Sequence, residues 1–193
     1  MPVVPKSVNV CAISASGEPT LTSGAIETIC HSSHPMTLPK TNAARVLDQR
    51  SIAYRVLEYT VGEEHLDAVQ VAEQVGLPPD SVFKTLVARG DRHGPCMAII
   101  PGPATLDLKA LARVSGDRSV ALIALKEVTP LTGYVRGGVT ALAAKKELPV
   151  YLDETAILFD EIAVSAGKKG LQLLLAPNDY IRATSAKLAR LTT

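Results

Sequence analysis

The chain has no tryptophan, two phenylalanines and three cysteines among its 193 residues. An aromatic core is therefore excluded, and the interior must be built from Val, Leu, Ile and Ala. Cys11, Cys30 and Cys96 are too few and too unevenly spaced for a disulfide framework, which suits a reducing cytosol. Twenty basic residues against nineteen acidic ones leave a formal net charge of +1. No strong global field draws in nucleic acid, so any RNA contact must come from a local basic patch. No apolar run reaches the ~20 residues of a transmembrane helix. There is no Gly-x-Ser-x-Gly, Walker loop, His-Glu-x-x-His or Cys-x-x-Cys, so the familiar routes to an activated serine, a bound nucleotide or a catalytic zinc are missing.

Residues 1–38 are rich in Ser, Thr, Pro and Val and almost uncharged. This composition predicts a disordered or loosely attached tail, with Met36 a plausible start for the domain that follows. Within it Cys30, His31 and His34 have metal-ligand chemistry but no fourth ligand; neither a metal nor a cofactor is predicted.

From residue 39 onward the pattern is that of one α/β (α+β) domain. Thr41 is placed to cap a helix running to about Gln49, and Ile52 to Thr60 reads as a strand. Leu66 to Val75 is helical and is stopped by Gly76 and Pro78-Pro79. Val82 to Ala88 and Pro95 to Pro101 form a hairpin. Asp107 opens a helix through Val114, and Val120 to Ala124 is a strand. A short helix spans Lys126 to Leu131. Strands follow at Pro149–Leu152, Glu161–Ser165 and Leu171–Leu175, and Asn178 caps a final helix through Leu191. Several strand connections are too short for helical crossovers, so a mixed, largely antiparallel curved sheet flanked by helices is expected.

Lys84, in Val82-Phe83-Lys84-Thr85-Leu86-Val87, is the most informative residue. It is the sole lysine between Lys40 and Lys109, in an apolar strand where a cation is costly unless it meets an anion or a polar site. A snorkelling edge-strand lysine is the alternative. Two glycine-bearing segments follow: Thr132-Gly133-Tyr134-Val135-Arg136-Gly137-Gly138-Val139-Thr140-Ala141-Leu142 and Val164-Ser165-Ala166-Gly167-Lys168-Lys169-Gly170-Leu171. Each reads as a plain turn or as a backbone cradle for an oxyanion, carbonyl or phosphate.

With Thr41-Asn42-Ala43-Ala44-Arg45-Val46-Leu47 and Leu106-Asp107-Leu108-Lys109-Ala110-Leu111, these segments in this order resemble the YbaK family of aminoacyl-tRNA deacylases, free-standing relatives of the editing insertion of prolyl-tRNA synthetase. The resemblance runs from about Thr41 to Leu191. It implies an enzyme that cleaves the ester of mischarged tRNA, above all Cys-tRNA(Pro), in the cytoplasm, with prolyl-tRNA synthetase as an implied partner and no membrane. Lys84 matches the key active-site lysine, which holds the tRNA 3′ end and the ester. Gly137 and Gly138 match the pocket loop, with Thr140 beside them and Ala141 where the family has Pro. Ser165, Gly167 and Lys168 match a Ser-Gly-Gly-Lys-Arg-Gly loop, with Ala166 replacing a glycine. Tyr59 matches a pocket tyrosine suited to stacking on the terminal adenine, although a surface strand position fits it too. Asp107 is read as a helix cap, and Lys145 and Lys146 as either a basic face or solvated charge. The family's chemistry needs no protein base, because the cysteine thiol of the substrate attacks its own ester and leaves as a thiolactone. An Ala-tRNA(Pro)-type hydrolase using activated water and a non-catalytic tRNA- or synthetase-binding module are the competing readings. Deleting residues 1–38 is expected to leave melting temperature and activity nearly unchanged; a truncated protein that unfolds or aggregates would make the tail part of the domain.

Overall fold

The computed structural model describes residues 40–62 and 66–193. Cys11, Cys30, His31, His34, Met36 and His65 lie outside the described residues. The first element of the described residues is helix α1 (Asn42–Gln49), capped by Thr41, whose Oγ1 accepts the Ala44 amide at 3.2 Å. Strand β1 (Arg55–Glu58) is shorter than the run Ile52 to Thr60 suggests. Helix α2 (Ala68–Val75) begins at Asp67, which with Gln70 closes a reciprocal capping box, and ends at left-handed Gly76.

Strands β2 (Phe83–Gly90) and β3 (Gly94–Pro101) form the expected hairpin, with the turn reduced to residues 91–93. Helix α3 (Leu108–Ser115) is capped by Asp107, which accepts the Lys109 and Ala110 amides, as its position predicts. Strand β4 (Val120–Leu122), helix α4 (Leu125–Thr132), β5 (Val150–Asp153), β6 (Ile162–Ser165) and β7 (Leu171–Leu175) follow the predicted order. The last element is a correction. Helix α5 (Pro177–Thr184) opens on Pro177, with Asn178 inside it and not capping it, and ends in left-handed Ser185 instead of reaching Leu191; a further strand, β8 (Lys187–Ala189), comes after it. The chain turns because β5 offers an open edge, where β8 adds in parallel.

The fold is mixed α/β, and its strands divide over two sheets. The larger has the order β4-β2-β3-β5-β8, with antiparallel β4-β2-β3 and parallel β3-β5-β8; the smaller is the antiparallel β1-β7-β6. A parallel bridge between Val82 and Ala163 links them. The main core lies around fully buried Leu47, Met97, Ile99, Leu152, Ile162, Leu173 and Tyr180, aliphatic as the composition requires. The end of β5 is tied to the C-terminal segment by buried Asp153, whose Oδ2 accepts the Leu191 amide at 2.9 Å and the Thr192 hydroxyl at 3.1 Å. No helix among the described residues is long and apolar enough to cross a membrane.

Candidate functional site

Where the two sheets meet they leave a cleft of about 620 Å³. One wall is β2 from Phe83 to Val87. The start of α2 and Gly102-Pro103 form the second, β4 and α4 contribute Leu122, Ile123, Leu125 and Val128, and Arg136, Gly137 and Val139 close a further side. Tyr59, Ser165 and Gln172 enter from the smaller sheet and its flank. Most of this lining is apolar, so each polar group in it carries weight.

Lys84 points into the cleft, half-buried, and its Nζ donates to the Gly102 carbonyl at 2.7 Å. Loss of water around the ammonium pulls its pKa below the ordinary lysine value, while the Asp67 carboxylate pushes the other way. The contact depends on Gly102. A Cβ there would sit 2.9 Å from Ala68 Cβ and 3.1 Å from the Val82 carbonyl, so a side chain would lift the 101–103 segment off Lys84.

Ser165 and Gln172 are register partners on β6 and β7 and both line the cleft. Ser165 Oγ accepts the Gly167 amide at 3.3 Å, which leaves its own hydrogen to donate elsewhere. Tyr59 also lines the cleft, its amide donating to the Gly170 carbonyl at 2.9 Å. Of the glycine pair, Gly137 faces the cleft; Gly138 does not, and its amide is spent on the Val135 carbonyl at 2.9 Å. Gly138 instead serves close approach, its Cα side lying against the backbone of residues 167–169. The two glycine loops are thus neighbours, as an assembled site requires.

Thr140, Ala141, Gly167 and Lys168 do not line the cleft. Thr140 is fully buried and Ala141 packs against the main core. Lys168 is exposed at the loop tip, and Lys145 and Lys146 are likewise solvated. Cys96 is buried in β3 away from the cleft, and burial pushes its thiol up to about 11, which disqualifies it as a nucleophile. His93 is exposed at the β2–β3 turn beside Asp117. Among the described residues no group of His, Cys, Asp and Glu has the makings of a metal site.

Three participants escape a reading of the sequence. Asp67 falls inside the helix expected from Leu66, so neither its capping of α2 nor its place beside Lys84 is read there. Gln172 has the same signal as Lys84, a polar residue within the apolar run Leu171-Gln172-Leu173-Leu174-Leu175. Tyr134 is the clamp. Its hydroxyl lies 2.8 Å from the Leu142 carbonyl and 3.1 Å from that of Ala143, and its ring covers Gly167. Gly167 has φ +86°, and a Cβ on it would come within 2.7 Å of the Tyr134 ring. Gly167→Ala therefore meets both backbone strain and a ring clash, and is expected to cost about 2–3 kcal/mol, a melting-temperature drop of roughly 5–10 °C. A Gly167→Ala protein that melts like the wild type would show that the two loops are not locked by this contact.

Aminoacyl-tRNA editing domains match residues 63–183 of this chain. The candidate Cys-tRNA(Pro)/Cys-tRNA(Cys) deacylase EbsC of Enterococcus faecalis is 43% identical over 157 residues, which covers 81% of this chain and 96% of that protein. A candidate trans-editing enzyme for prolyl-tRNA synthetase superposes with a TM-score of 0.68 at 27% identity, covering 84% of this chain and 99% of the other. The hypothetical protein APE2540 shares the fold, with a TM-score of 0.71 at 22% identity over 79% of this chain and 99% of its own. The resemblance read from Lys84 and the two glycine loops is thereby borne out: the chain belongs to the aminoacyl-tRNA editing domain family.

Proposed function

We propose that this protein is a free-standing aminoacyl-tRNA deacylase that removes cysteine from mischarged tRNA(Pro). The observation that carries the reading is Lys84, a half-buried cation held in an apolar cleft against a single backbone carbonyl. Such a group has no structural gain that a methionine would not match. It is suited to hold the ester carbonyl or the terminal phosphate of a tRNA 3′ end. The 43% identity to EbsC supports cysteine as the amino acid.

In this reading the substrate supplies the nucleophile. The cysteine thiolate attacks its own ester carbonyl; the C–S bond forms, the bond to the ribose 3′ oxygen breaks, and that oxygen leaves with a proton. The acyl group departs as a thiolactone. The protein holds the ends together: Lys84 on the ester or phosphate, Gly137 and the Ser165 hydroxyl toward the developing oxyanion, Tyr59 against the adenine. Gly138, whose amide is already used, shapes the loop and donates nothing. Ala141 stands outside the cleft, so replacing the family's proline there leaves the lining unchanged. Gly167 and Lys168 support the reading from the loop, the one as a packing contact and the other as an exposed charge toward the acceptor stem. Delivery of the substrate by prolyl-tRNA synthetase, and work in the cytoplasm where charged tRNA is used, follow from the same reading. The editing domain in this reading spans residues 39–193.

Lys84→Ala is expected to fold normally and to lose deacylation of Cys-tRNA(Pro). A charge-assisted contact in such a site contributes on the order of 1.5–3 kcal/mol to binding alone. Wild-type turnover by the folded variant would remove Lys84 from the site.

The nucleophile is tested by the amino acid and by pH. A pocket alone separates near-isosteres only ~10–200-fold, whereas a thiol with a pKa of about 8.5 offers far more anion at neutral pH than an alcohol does. Cysteine should leave tRNA much faster than serine, with a rate that climbs as pH approaches the thiol pKa, and Cys96→Ala should be fully active. Equal rates on Cys- and Ser-charged tRNA would require an activated water and favour the alanine-type hydrolase.

A further inference from the structure

Gln172 is 6% exposed, lines the cleft, and its Oε1 has no hydrogen-bond partner. A buried acceptor without a donor costs stability, and proteins keep such groups where a ligand completes them. A leucine would continue the apolar run of β7 at no such cost. Gln172 is also the register partner of Ser165 and shares the cleft with Lys84, which stands on the other sheet.

The charges around it narrow what the missing donor is. The described cations of the lining are Lys84 and Arg136, and its acidic group is Asp67, whose Oδ1 accepts the Val69 and Gln70 amides at the start of α2 and whose charge acts on Lys84. An aminoacyl ester brings one charged donor, the α-ammonium, a single carbon from the ester carbonyl. The ribose 2′-hydroxyl and the adenine amine are neutral and lose less when unpaired. If Lys84 holds the ester, the α-ammonium is repelled by that lysine and must find an acceptor away from it. The Gln172 carbonyl is an acceptor with nothing else to accept.

We propose that Gln172 is a specificity-determining residue that accepts a hydrogen bond from the free α-ammonium of the substrate. The cleft then takes esters of free amino acids and turns away esters whose amino group is acylated, the state of the growing peptide on a tRNA. A site built to pair a polar group discriminates strongly against a ligand that lacks it. This rests on the deacylase reading above.

The test compares Cys-tRNA(Pro) with N-acetyl-Cys-tRNA(Pro). Acetylation keeps the thiol and the ester and removes only the ammonium. The wild type should prefer the free-amino ester. Gln172→Met, which keeps length and removes the acceptor, should slow the free-amino ester about tenfold or more, leave the acetylated one unchanged, and so collapse the preference. Gln172→Glu should retain it. Comparing the two ratios cancels any effect of acetylation on thiol acidity. A preference that survives in a folded Gln172→Met protein, or a loss equal on both esters, overturns the proposal; Gln172→Leu gives the same comparison where the methionine variant does not fold. Calorimetry with 3′-cysteinylamido-3′-deoxyadenosine and its N-acetyl form separates this inference from the one it rests on. If the wild type cleaves neither ester, the deacylase reading fails. The recognition claim then stands or falls on whether the wild type binds the free-amino analogue more tightly and the Gln172→Met protein does not.

Discussion

The meeting of two sheets is the constraint on which the site depends. Their strands join through the Val82–Ala163 bridge, and the chain leaves that bridge in two directions that matter. Two residues along β2 is Lys84; two along β6 is Ser165. In one continuous sheet these two positions would be same-face neighbours about 5 Å apart, with no room for a ligand between them. Two sheets that touch at one bridge and then diverge leave that room. The cleft is the space of that divergence, and its apolar walls make the few polar groups in it strong.

The loops above the cleft are held by packing more than by charge. Tyr134 anchors one to the backbone of residues 142 and 143 and presses on Gly167 in the other. Gly138 brings the same two loops into backbone contact. At Gly167 a Cβ would intrude on the Tyr134 ring, so glycine there is a packing requirement, whereas at Gly138 a Cβ would only touch the facing backbone. Of the Gly137-Gly138 pair, Gly137 alone lines the cleft. Among the described residues no thiol or histidine lines the cleft, which fits the proposed reaction, in which the ligand supplies its own nucleophile.

Much of this was legible in the sequence, and the exceptions have physical causes. Two helix starts were readable because their caps are local: Thr41 and Asp107 bond amides two or three residues on; α5 opens on Pro177 with no side-chain cap, so the Asn178 reading missed it. The β2–β3 hairpin was readable for the same reason. The end of α5 was not, because Ser185 adopts a left-handed conformation that glycine would have announced and serine does not. Strand β8 is fixed by the open edge of β5, more than thirty residues earlier, and nothing in Lys187–Ala189 itself demands it. Among site residues, Lys84 stood out as a polar interruption of an apolar strand. Gln172 carries the same mark; amides, being neutral, draw less notice than cations. Thr140 and Ala141 were placed by loop membership, yet loop residues alternate between cleft and core, and these two face the core.

The central claim is that the acyl end of the ligand lies between Lys84 and Ser165 at the junction of the sheets. A crystal structure with 3′-cysteinylamido-3′-deoxyadenosine tests it most directly. The account predicts the carbonyl or the ribose-phosphate side within about 3 Å of Lys84 Nζ, with the acyl group over Ser165 and Gln172. Ligand bound elsewhere on the fold, with Lys84 still on the Gly102 carbonyl and the cleft filled by water, would contradict it.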